Sequence, residues 1–195
     1  MSRIVSGVAG GLPLVSVPGT GTRPTTDRTK EALFSWLESR GWLEGTAVLD
    51  LYAGSAALGC EAASRGAGEV LSVERHGKAA GVCKRNAETL NSKLGRTAVR
   101  VQNASVDTAL QQLTPGQWDL ILADPPYDLD GEQLNRSLEL MDAVLDERGL
   151  LVLERSTRSA EPQWPQRLDV IEQRDYGETR LYFLRPRDDE QPARR

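Results

Sequence analysis

The segment 118–127, WDLILADPPY, constrains the fold of this chain more than any other stretch. Its apolar run at 120–123 is short, which is typical of a strand buried on both faces of a sheet. Two consecutive prolines follow, and neither has a backbone N–H to donate to a neighbouring strand, so the strand must end there. The sequence therefore places an acid, Asp124, and an aromatic, Tyr127, at the carboxyl end of a central strand. Open α/β sheets bind ligands at that edge.

Short apolar runs alternate with helical patterns over most of the chain. Strands joined by helices pair in parallel through right-handed crossovers. The last two predicted strands are joined only by residues 174–179, which is too short for a parallel crossover, so the final strand should be antiparallel. The pattern predicts a doubly wound, Rossmann-like α/β fold with seven strands (47–51, 69–73, 98–102, 118–123, 149–154, 168–173 and 180–184) and helices at 56–64, 78–90, 105–112 and 132–145.

A turn that contains glycine, 48–59, joins the first of these strands to its helix. Gly54 lets the backbone approach a ligand closely, and a helix N-terminus offers free N–H groups. Ala56 stands where a dinucleotide fingerprint has its middle glycine, which weakens a NAD interpretation. The turn resembles that of methyltransferases, which place S-adenosylmethionine (SAM) there, so Asp50 can bind the ammonium of SAM and Glu74, at the end of the next strand, is placed to bind its ribose hydroxyls. The candidate cofactor-binding residues are Asp50, Tyr52, Ala53, Gly54, Ser55, Glu74, Asn103 (toward adenine) and Ala104.

The turn after the strand at 118–123 suits methylation of an exocyclic amine on a flat base. The carboxylate of Asp124 and a nearby backbone carbonyl can accept both amine hydrogens, and Tyr127 can stack on the base. Asp-Pro-Pro-Tyr resembles the amino-methyltransferase signature of SAM enzymes that act on nucleic acid bases. The candidate catalytic residues are therefore Asp124, Pro125, Pro126 and Tyr127, and no metal site is expected.

The first 44 residues lie before the alternation of strands and helices. Segments 3–7 and 14–18 could pair as a small hairpin, and a helix with an apolar face follows and ends at Gly41. We therefore predict an N-terminal extension at 1–44, a methyltransferase domain at 45–185 and a charged, disordered tail at 186–195.

Charge and composition narrow the cellular context and the class of partner. The 195 residues carry a formal net charge of -4, which argues against a general nucleic-acid coat protein but allows a local basic patch. The two cysteines give no disulfide or metal framework, and no apolar run is long enough to span a membrane. We therefore expect a reduced, cytoplasmic protein that is a monomer.

Six stretches, in order along nearly the whole chain, resemble one family: 3–7, 23–28 (RPTTDR), 31–34, 50–65, 124–127 and 176–180. These are the RsmD-type enzymes, which methylate the N2 amine of a guanine in 16S ribosomal RNA (rRNA). The resemblance implies the SAM-dependent methyltransferase fold, SAM as cofactor and 16S rRNA as partner. It leaves RNA binding to the basic residues Arg3, Arg23, Arg28 and Lys30. Because these are few, we expect the substrate to be rRNA within the assembled small ribosomal subunit.

The chain departs from the family pattern at three places, because the family usually has glycine at Ala56, an acid at Asn103 and often basic residues near 11–14. Three alternatives stay open. An adenine-N6 methyltransferase acting on DNA or RNA fits the same amine chemistry, although a chain of this length has no obvious separate target-recognition domain. The others are a Rossmann oxidoreductase and a non-enzymatic RNA-binding protein. Loss of enzymatic function is disfavoured by the presence of all four key residues, Asp50, Glu74, Asp124 and Tyr127.

Overall fold

Nine strands and five helices occupy the residues that the computed structural model describes, which are 2–19, 27–129 and 131–187. In chain order they are β1 (Ser2–Arg3), β2 (Pro13–Leu14), α1 (Asp27–Ser39), β3 (Ala47–Leu51), α2 (Ala57–Ser64), β4 (Glu69–Val73), α3 (Gly77–Leu94), β5 (Val99–Gln102), α4 (Val106–Gln112), β6 (Trp118–Ala123), α5 (Gly131–Val144), β7 (Leu145–Ser156), β8 (Leu168–Tyr176) and β9 (Thr179–Pro186). Arg23 and nearly all of the predicted tail lie outside the described residues.

Seven of the strands form one sheet in the order β5-β4-β3-β6-β7-β9-β8. The strands from β5 to β7 in this order pair in parallel, whereas β9 is antiparallel to both of its neighbours. The strand order reverses between β3 and β6, which is the switch point where doubly wound sheets bind ligands. The predicted doubly wound, seven-stranded sheet and its antiparallel final strand are confirmed.

The central strands pack into two hydrophobic clusters, one on each face of the sheet. Leu120 and Leu122 of β6 join a cluster that includes residues of α1 and α2. Ile121 and Ala123 join the opposite cluster, with residues of α4 and α5. Because β6 is buried on both faces, its run at 120–123 is continuously apolar rather than alternating.

Four elements are longer than the sequence pattern predicts: α3, β7, β8 and β9. α3 continues through a polar last turn to Leu94 and ends where Gly95 adopts a left-handed conformation with a φ of +69°. β7 begins at Leu145, directly after α5 ends at Val144, so no loop separates this helix from its strand. None of the described helices is long and apolar enough to cross a membrane.

The N-terminal hairpin is shorter than predicted, because β1 and β2 contain two residues each. Just after β2, the backbone N–H of Val15 donates to Oδ1 of Asn86 on α3 at 2.9 Å, so a side chain takes the place of a strand partner. Ile4 and Leu14 are buried in the same hydrophobic cluster as the central strands. The N-terminal segment therefore packs on the main sheet, and the domain boundary at 44/45 stays a prediction.

A buried carboxylate, that of Glu61 on α2, ties the N-terminal segment to the main sheet. Its Oε2 accepts from the N–H of Val5 at 2.8 Å, and its Oε1 accepts from the N–H of Ser6 at 3.0 Å. Nε of Arg65 donates to Oε1 at 2.9 Å, and Nζ of Lys30 lies 3.7 Å from Oε2. Two cations and two N–H groups thus compensate the buried charge of this carboxylate.

Replacing Glu61 with alanine should lower the free energy of unfolding by about 3 kcal/mol or more, because it removes the buried carboxylate that Lys30 and Arg65 share. The control is Glu69→Ala. Glu69 forms an exposed pair with Arg100 at 3.0 Å, and its loss should cost less than about 1 kcal/mol. Urea unfolding measures both variants. Equal destabilisation by the two substitutions would contradict a stabilising role for the buried cluster.

Candidate active site

Three neighbouring strands end at one edge of the sheet. Leu51 of β3 lies opposite Val73 of β4 on one side and opposite Ala123 of β6 on the other. Since all three strands are parallel, the residues that follow them emerge at the same edge. The structure therefore brings together the loop after β3, Glu74 after β4 and Asp124 after β6.

Glu74 holds the backbone of the loop after β3. This residue is 6% exposed, and its Oε2 accepts from the N–H of Gly54 at 2.8 Å while its Oε1 accepts from the N–H of His76 at 2.8 Å. Gly54 has a φ of +60°, and a β-carbon there would meet nothing within 4 Å, so its backbone conformation rather than crowding favours glycine. A carboxylate oxygen has more than one acceptor site, so Glu74 can still bind two ligand hydroxyls.

Asp50 lies beneath the same loop and is 1% exposed. Its Oδ2 accepts from the N–H of Gly59 and from Oγ of Ser72, each at 3.0 Å. Burial raises the pKa of Asp50 to about 7, although the bonds from Ser72 and Gly59 oppose the rise. The charges of Asp124 and Glu74 add to it. A cation bound nearby, such as an ammonium group, would favour the charged form of this carboxyl.

Two residues of the loop have left-handed backbone conformations although neither is glycine: Tyr52 has a φ of +58° and Ala56 a φ of +64°. Ala56 is buried and immediately precedes α2, where its carbonyl accepts from the N–H of Cys60 at 2.9 Å. A residue with a β-carbon in this conformation costs roughly 1–2 kcal/mol. This strain accounts for the glycine that is usual at position 56 in the family that the sequence resembles.

Two polar side chains of α3 that sequence reasoning missed also hold this loop. Sγ of Cys83 donates to the carbonyl of Gly54 at 2.8 Å, and Nδ2 of Asn86 donates to the carbonyl of Ser55 at 2.8 Å. Asn86 is buried and also bonds to Val15, so it links the N-terminal segment to the loop. The sequence does carry a signal for them, because Cys83 and Asn86 lie one helical turn apart on the buried face of α3. Two polar side chains on such a face need partners inside the protein.

Asn103 follows β5, and its Nδ2 donates to the carbonyls of Glu74 at 2.8 Å and Arg75 at 2.9 Å. Because both amide hydrogens bond within the protein, its carboxamide oxygen is the atom suited to accept from an adenine amine. The acid that is usual here in the resembled family offers the same kind of acceptor. Ala104 packs against the cluster that includes α4 and α5, and its role toward a cofactor stays a prediction.

The Asp-Pro-Pro-Tyr turn leaves the sheet directly after β6. The N–H of Asp124 makes the last bond to β3, at 3.4 Å. The carbonyl of Pro126 then accepts from the N–H of Leu129 at 3.1 Å, which closes the turn. Pro125 is buried, whereas Tyr127 is 61% exposed, so the aromatic ring lies at the surface beside the shared edge.

The carboxyl of Asp124 lies between solvent and protein. The residue as a whole is exposed, so water can hydrate its carboxylate, while protein atoms crowd the group from other sides. This crowding raises the pKa of Asp124, and the guanidinium of Arg155 on β7 opposes the rise. Contact with water on the exposed side also favours the charged form of this carboxyl. Arg155 is a further residue that sequence reasoning missed, although a charge at the end of an apolar strand could have indicated it.

Comparison with known proteins identifies the family. The family described as Conserved hypothetical protein 95 matches residues 2–185. The chain belongs to this family. A Bacillus subtilis relative named as the rRNA methyltransferase YlbH is 34% identical over 189 residues, which cover 95% of this chain and 99% of that protein. Ribosomal RNA small subunit methyltransferase D of Haemophilus influenzae is 35% identical over 125 residues, which cover 64% of this chain and 63% of that protein.

A solved structure agrees with this family assignment. The Escherichia coli protein yhhF, named as a methyltransferase, superposes with a TM-score of 0.79 at 25% identity, over 95% of this chain and 98% of that one. The family is the RsmD-type one that the sequence motifs resemble, so this part of the sequence interpretation is confirmed. The seven-stranded sheet is likewise confirmed as the α/β fold of SAM-dependent methyltransferases.

Four basic residues of this family member were candidates for RNA contact, and the structure separates them. Arg3 and Arg28 are exposed, and Arg23 lies outside the described residues. Lys30 is 2% exposed; its Nζ donates to the carbonyl of Arg3 at 2.7 Å and lies 3.7 Å from Oε2 of Glu61. This placement gives Lys30 a structural role, so we do not retain it as an RNA contact.

The two cysteines are buried in the structure of this family member, and neither forms a disulfide. Burial raises the pKa of Cys60 to about 12 and raises the pKa of Cys83 as well, so both are thiols at neutral pH. Within residues 2–19, 27–129 and 131–187, no group of three or more His, Cys, Asp or Glu residues could hold a metal ion.

Asp50→Asn should stabilise the protein at pH 8 by about 1 kcal/mol or more, because the amide oxygen can accept the bonds from Gly59 and Ser72 without a buried charge. Folding raises the pKa of Asp50 from its ordinary value of 3.8 to about 7. The folded wild type therefore loses stability as the pH rises through this window. The advantage of the variant should therefore shrink as the pH falls below 7. Melting temperatures measured from pH 8 to pH 4.5 test this, and a constant difference would contradict it.

Proposed function

We propose that this chain transfers a methyl group from SAM to the N2 amine of a guanine in 16S rRNA. The position of Asp124 and Pro125 carries the proposal, because they end β6 beside the loop that Glu74 and Asp50 hold. The names of the relatives support it, since one is named as an rRNA methyltransferase and another as a small subunit rRNA methyltransferase. Family membership accordingly supports methylation of rRNA as the function. Methylation at N2 of guanine is our more specific proposal.

The residues around the loop after β3 fit SAM. Glu74 can accept from both ribose hydroxyls, and the charge of Asp50 is complementary to the ammonium group. The carboxamide oxygen of Asn103 can accept from the adenine amine, and Gly54 leaves open space beside the backbone. When bound, SAM supplies a methyl group carried by a positively charged sulfur. The site therefore needs acidic and acceptor groups and no cradle for phosphate.

The turn after β6 fits the amine that receives the methyl group. The lone pair of a guanine amine is delocalised into the ring, so the amine is a poor nucleophile. Acceptors at the carboxylate of Asp124 and the carbonyl of Pro125 would hold the amine pyramidal and stabilise the positive charge that develops on it. The exposed ring of Tyr127 can stack on the base, which must be unpaired or extruded from its helix.

The charge of the protein favours rRNA that ribosomal proteins have already shaped. The chain has a net charge of -4, and Lys30 is unavailable to phosphate. Arg3 and Arg28 are the predicted contacts that the structure leaves exposed. A protein that makes few phosphate contacts binds naked RNA weakly at physiological salt. We therefore propose the assembled small subunit as the substrate.

In the test, the purified protein is incubated with methyl-labelled SAM and one of three substrates. The substrates are small subunits that lack the modification, protein-free 16S rRNA and duplex DNA. Nucleosides from each substrate are separated and identified by mass spectrometry. We expect the label on N2-methylguanosine and the fastest transfer with subunits. Label on N6-methyladenosine would replace this proposal with the adenine alternative. Equal rates on subunits and on naked rRNA would refute the subunit requirement.

Asp124→Ala should slow methyl transfer about a hundredfold or more while leaving SAM affinity nearly unchanged, because it removes one preorganised acceptor of the amine. Asp128→Ala is the matched control, since Asp128 is an exposed aspartate in the same turn, and it should keep most of the activity. Single-turnover assays give the rate, and calorimetric titration gives SAM affinity. If Asp124→Ala lost SAM binding, Asp124 would belong to the cofactor side of the site.

A further inference from the structure

Four exposed cations lie in the first half of α3 and just before it. The segment 75–87 contains Arg75, Lys78, Lys84 and Arg85 and no acidic residue, although the whole chain has a net charge of -4. All four residues are exposed. Lys78 and Arg85 are seven positions apart on the helix, which is nearly two turns, so they lie along one line about 10 Å apart. We call these four residues the α3 basic patch.

No carboxylate of the described residues neutralises the α3 basic patch. Its four side chains form no ion pair or hydrogen bond with any residue that the structure describes. Glu88 is exposed one turn beyond Lys84 but does not form an ion pair with it. Exposed arginines elsewhere differ, because Arg100, Arg158 and Arg187 each pair with a carboxylate, at 3.0, 2.9 and 2.8 Å. The charge of the patch is therefore available to an anionic partner.

The patch begins at the edge of the sheet that holds the candidate active site. Glu74 follows β4 at this edge, Arg75 is the next residue, and α3 begins two residues later. The carbonyl of Arg75 accepts from Nδ2 of Asn103 at 2.9 Å, which fixes the backbone that carries the first cation. Asn86 directly follows the last cation, and its Nδ2 donates to the carbonyl of Ser55 at 2.8 Å. Both ends of the patch are thus held against the site, at the adenine side and at the loop after β3.

The chemistry of the patch fits the phosphate backbone of RNA better than a membrane surface. Helices that bind membranes carry large apolar side chains beside their cations. Among the described residues, the large hydrophobic ones that are exposed lie outside α3; they are Val8, Val15, Tyr127, Val170 and Ile171. Cations on an otherwise polar surface bind phosphate groups by charge and need no apolar contact.

We propose that the α3 basic patch binds phosphate groups of the RNA that carries the target base. This rests on the proposed function, which takes RNA as the substrate and the edge with Glu74 and Asp124 as the site. Phosphate contacts fix the orientation of a nucleic acid on a protein but do not read its sequence. The patch therefore orients the RNA that flanks the target base, and it adds to the contacts proposed for Arg3 and Arg28. The total stays small, in agreement with a substrate that ribosomal proteins have shaped.

The experiment compares two double variants of the full chain that lose the same charge. Lys78→Gln combined with Arg85→Gln removes two cations of the patch. Lys93→Gln combined with Arg148→Gln is the matched control, because both residues are exposed and neither forms an ion pair with a described residue. Lys93 is in the last turn of α3, about 22 Å from Lys78 along the helix axis, and Arg148 is near the start of β7, at the opposite edge of the sheet.

Binding to 16S rRNA and to small subunits that lack the modification is measured over a range of salt concentrations. In the patch variant, the slope of log affinity against log salt should become shallower by about 1.5–2 units, since each lost phosphate contact lowers it by about one. Affinity at low salt should fall about tenfold or more. The control should keep nearly the wild-type slope. Calorimetric titration should give the same SAM affinity for the wild type and both variants, because the patch binds RNA and not the cofactor.

An unchanged salt slope in the patch variant would overturn the proposal. So would equal weakening in the control, since net charge rather than the patch would then govern binding. Loss of binding to vesicles of an anionic phospholipid, with rRNA binding intact, would assign the patch to a membrane instead. The binding measurement needs no methyl transfer. A wild type that binds rRNA through the patch but methylates no guanine would therefore count against the proposed function and support the proposal for the patch.

Discussion

The parallel pairing of β3 with β6 is the constraint on which the candidate site depends. Leu51 lies opposite Ala123, and its carbonyl accepts from the N–H of Asp124, so both strands stop at the same level. A loop that fits a cofactor follows one strand, and a turn that fits an amine follows the other. Because side chains alternate with a period of two, a shift of one residue would move the apolar set of β6 to the wrong faces. Core packing therefore fixes the spacing between the two halves of the site.

Acidic side chains concentrate at this edge, and the protein compensates each of them differently. Asp50 is buried with two hydrogen bonds and a raised pKa, and Glu74 binds backbone N–H groups through both oxygens. Asp124 is in contact with solvent and is favoured as a carboxylate by Arg155. This arrangement suits a cofactor that carries positive charge and a reaction that develops positive charge on the acceptor. It suits a pyrophosphate poorly, because three acids near one edge would repel it.

Local patterns determined what could be predicted from the sequence. Apolar runs and short connections predicted the sheet and its antiparallel final strand, because strand burial and crossover length are local properties. Contacts between distant segments could not be predicted in this way. Lys30 looked available to RNA because it lies in a basic segment, but Glu61, remote in sequence, pairs with it in the interior. Asn86 and Arg155 were missed for the same reason, since each matters only through the loop or turn that tertiary packing places beside it.

The central claim is that one edge of the sheet holds both the cofactor and the acceptor base. A crystal structure with S-adenosylhomocysteine tests it most directly. We predict that the ribose hydroxyls of this product lie within hydrogen-bond distance of Glu74 and that its sulfur lies beside the end of β6, next to Asp124. A ligand bound at another edge of the sheet, or bound here with its ribose away from Glu74 and its sulfur remote from Asp124, would contradict the claim.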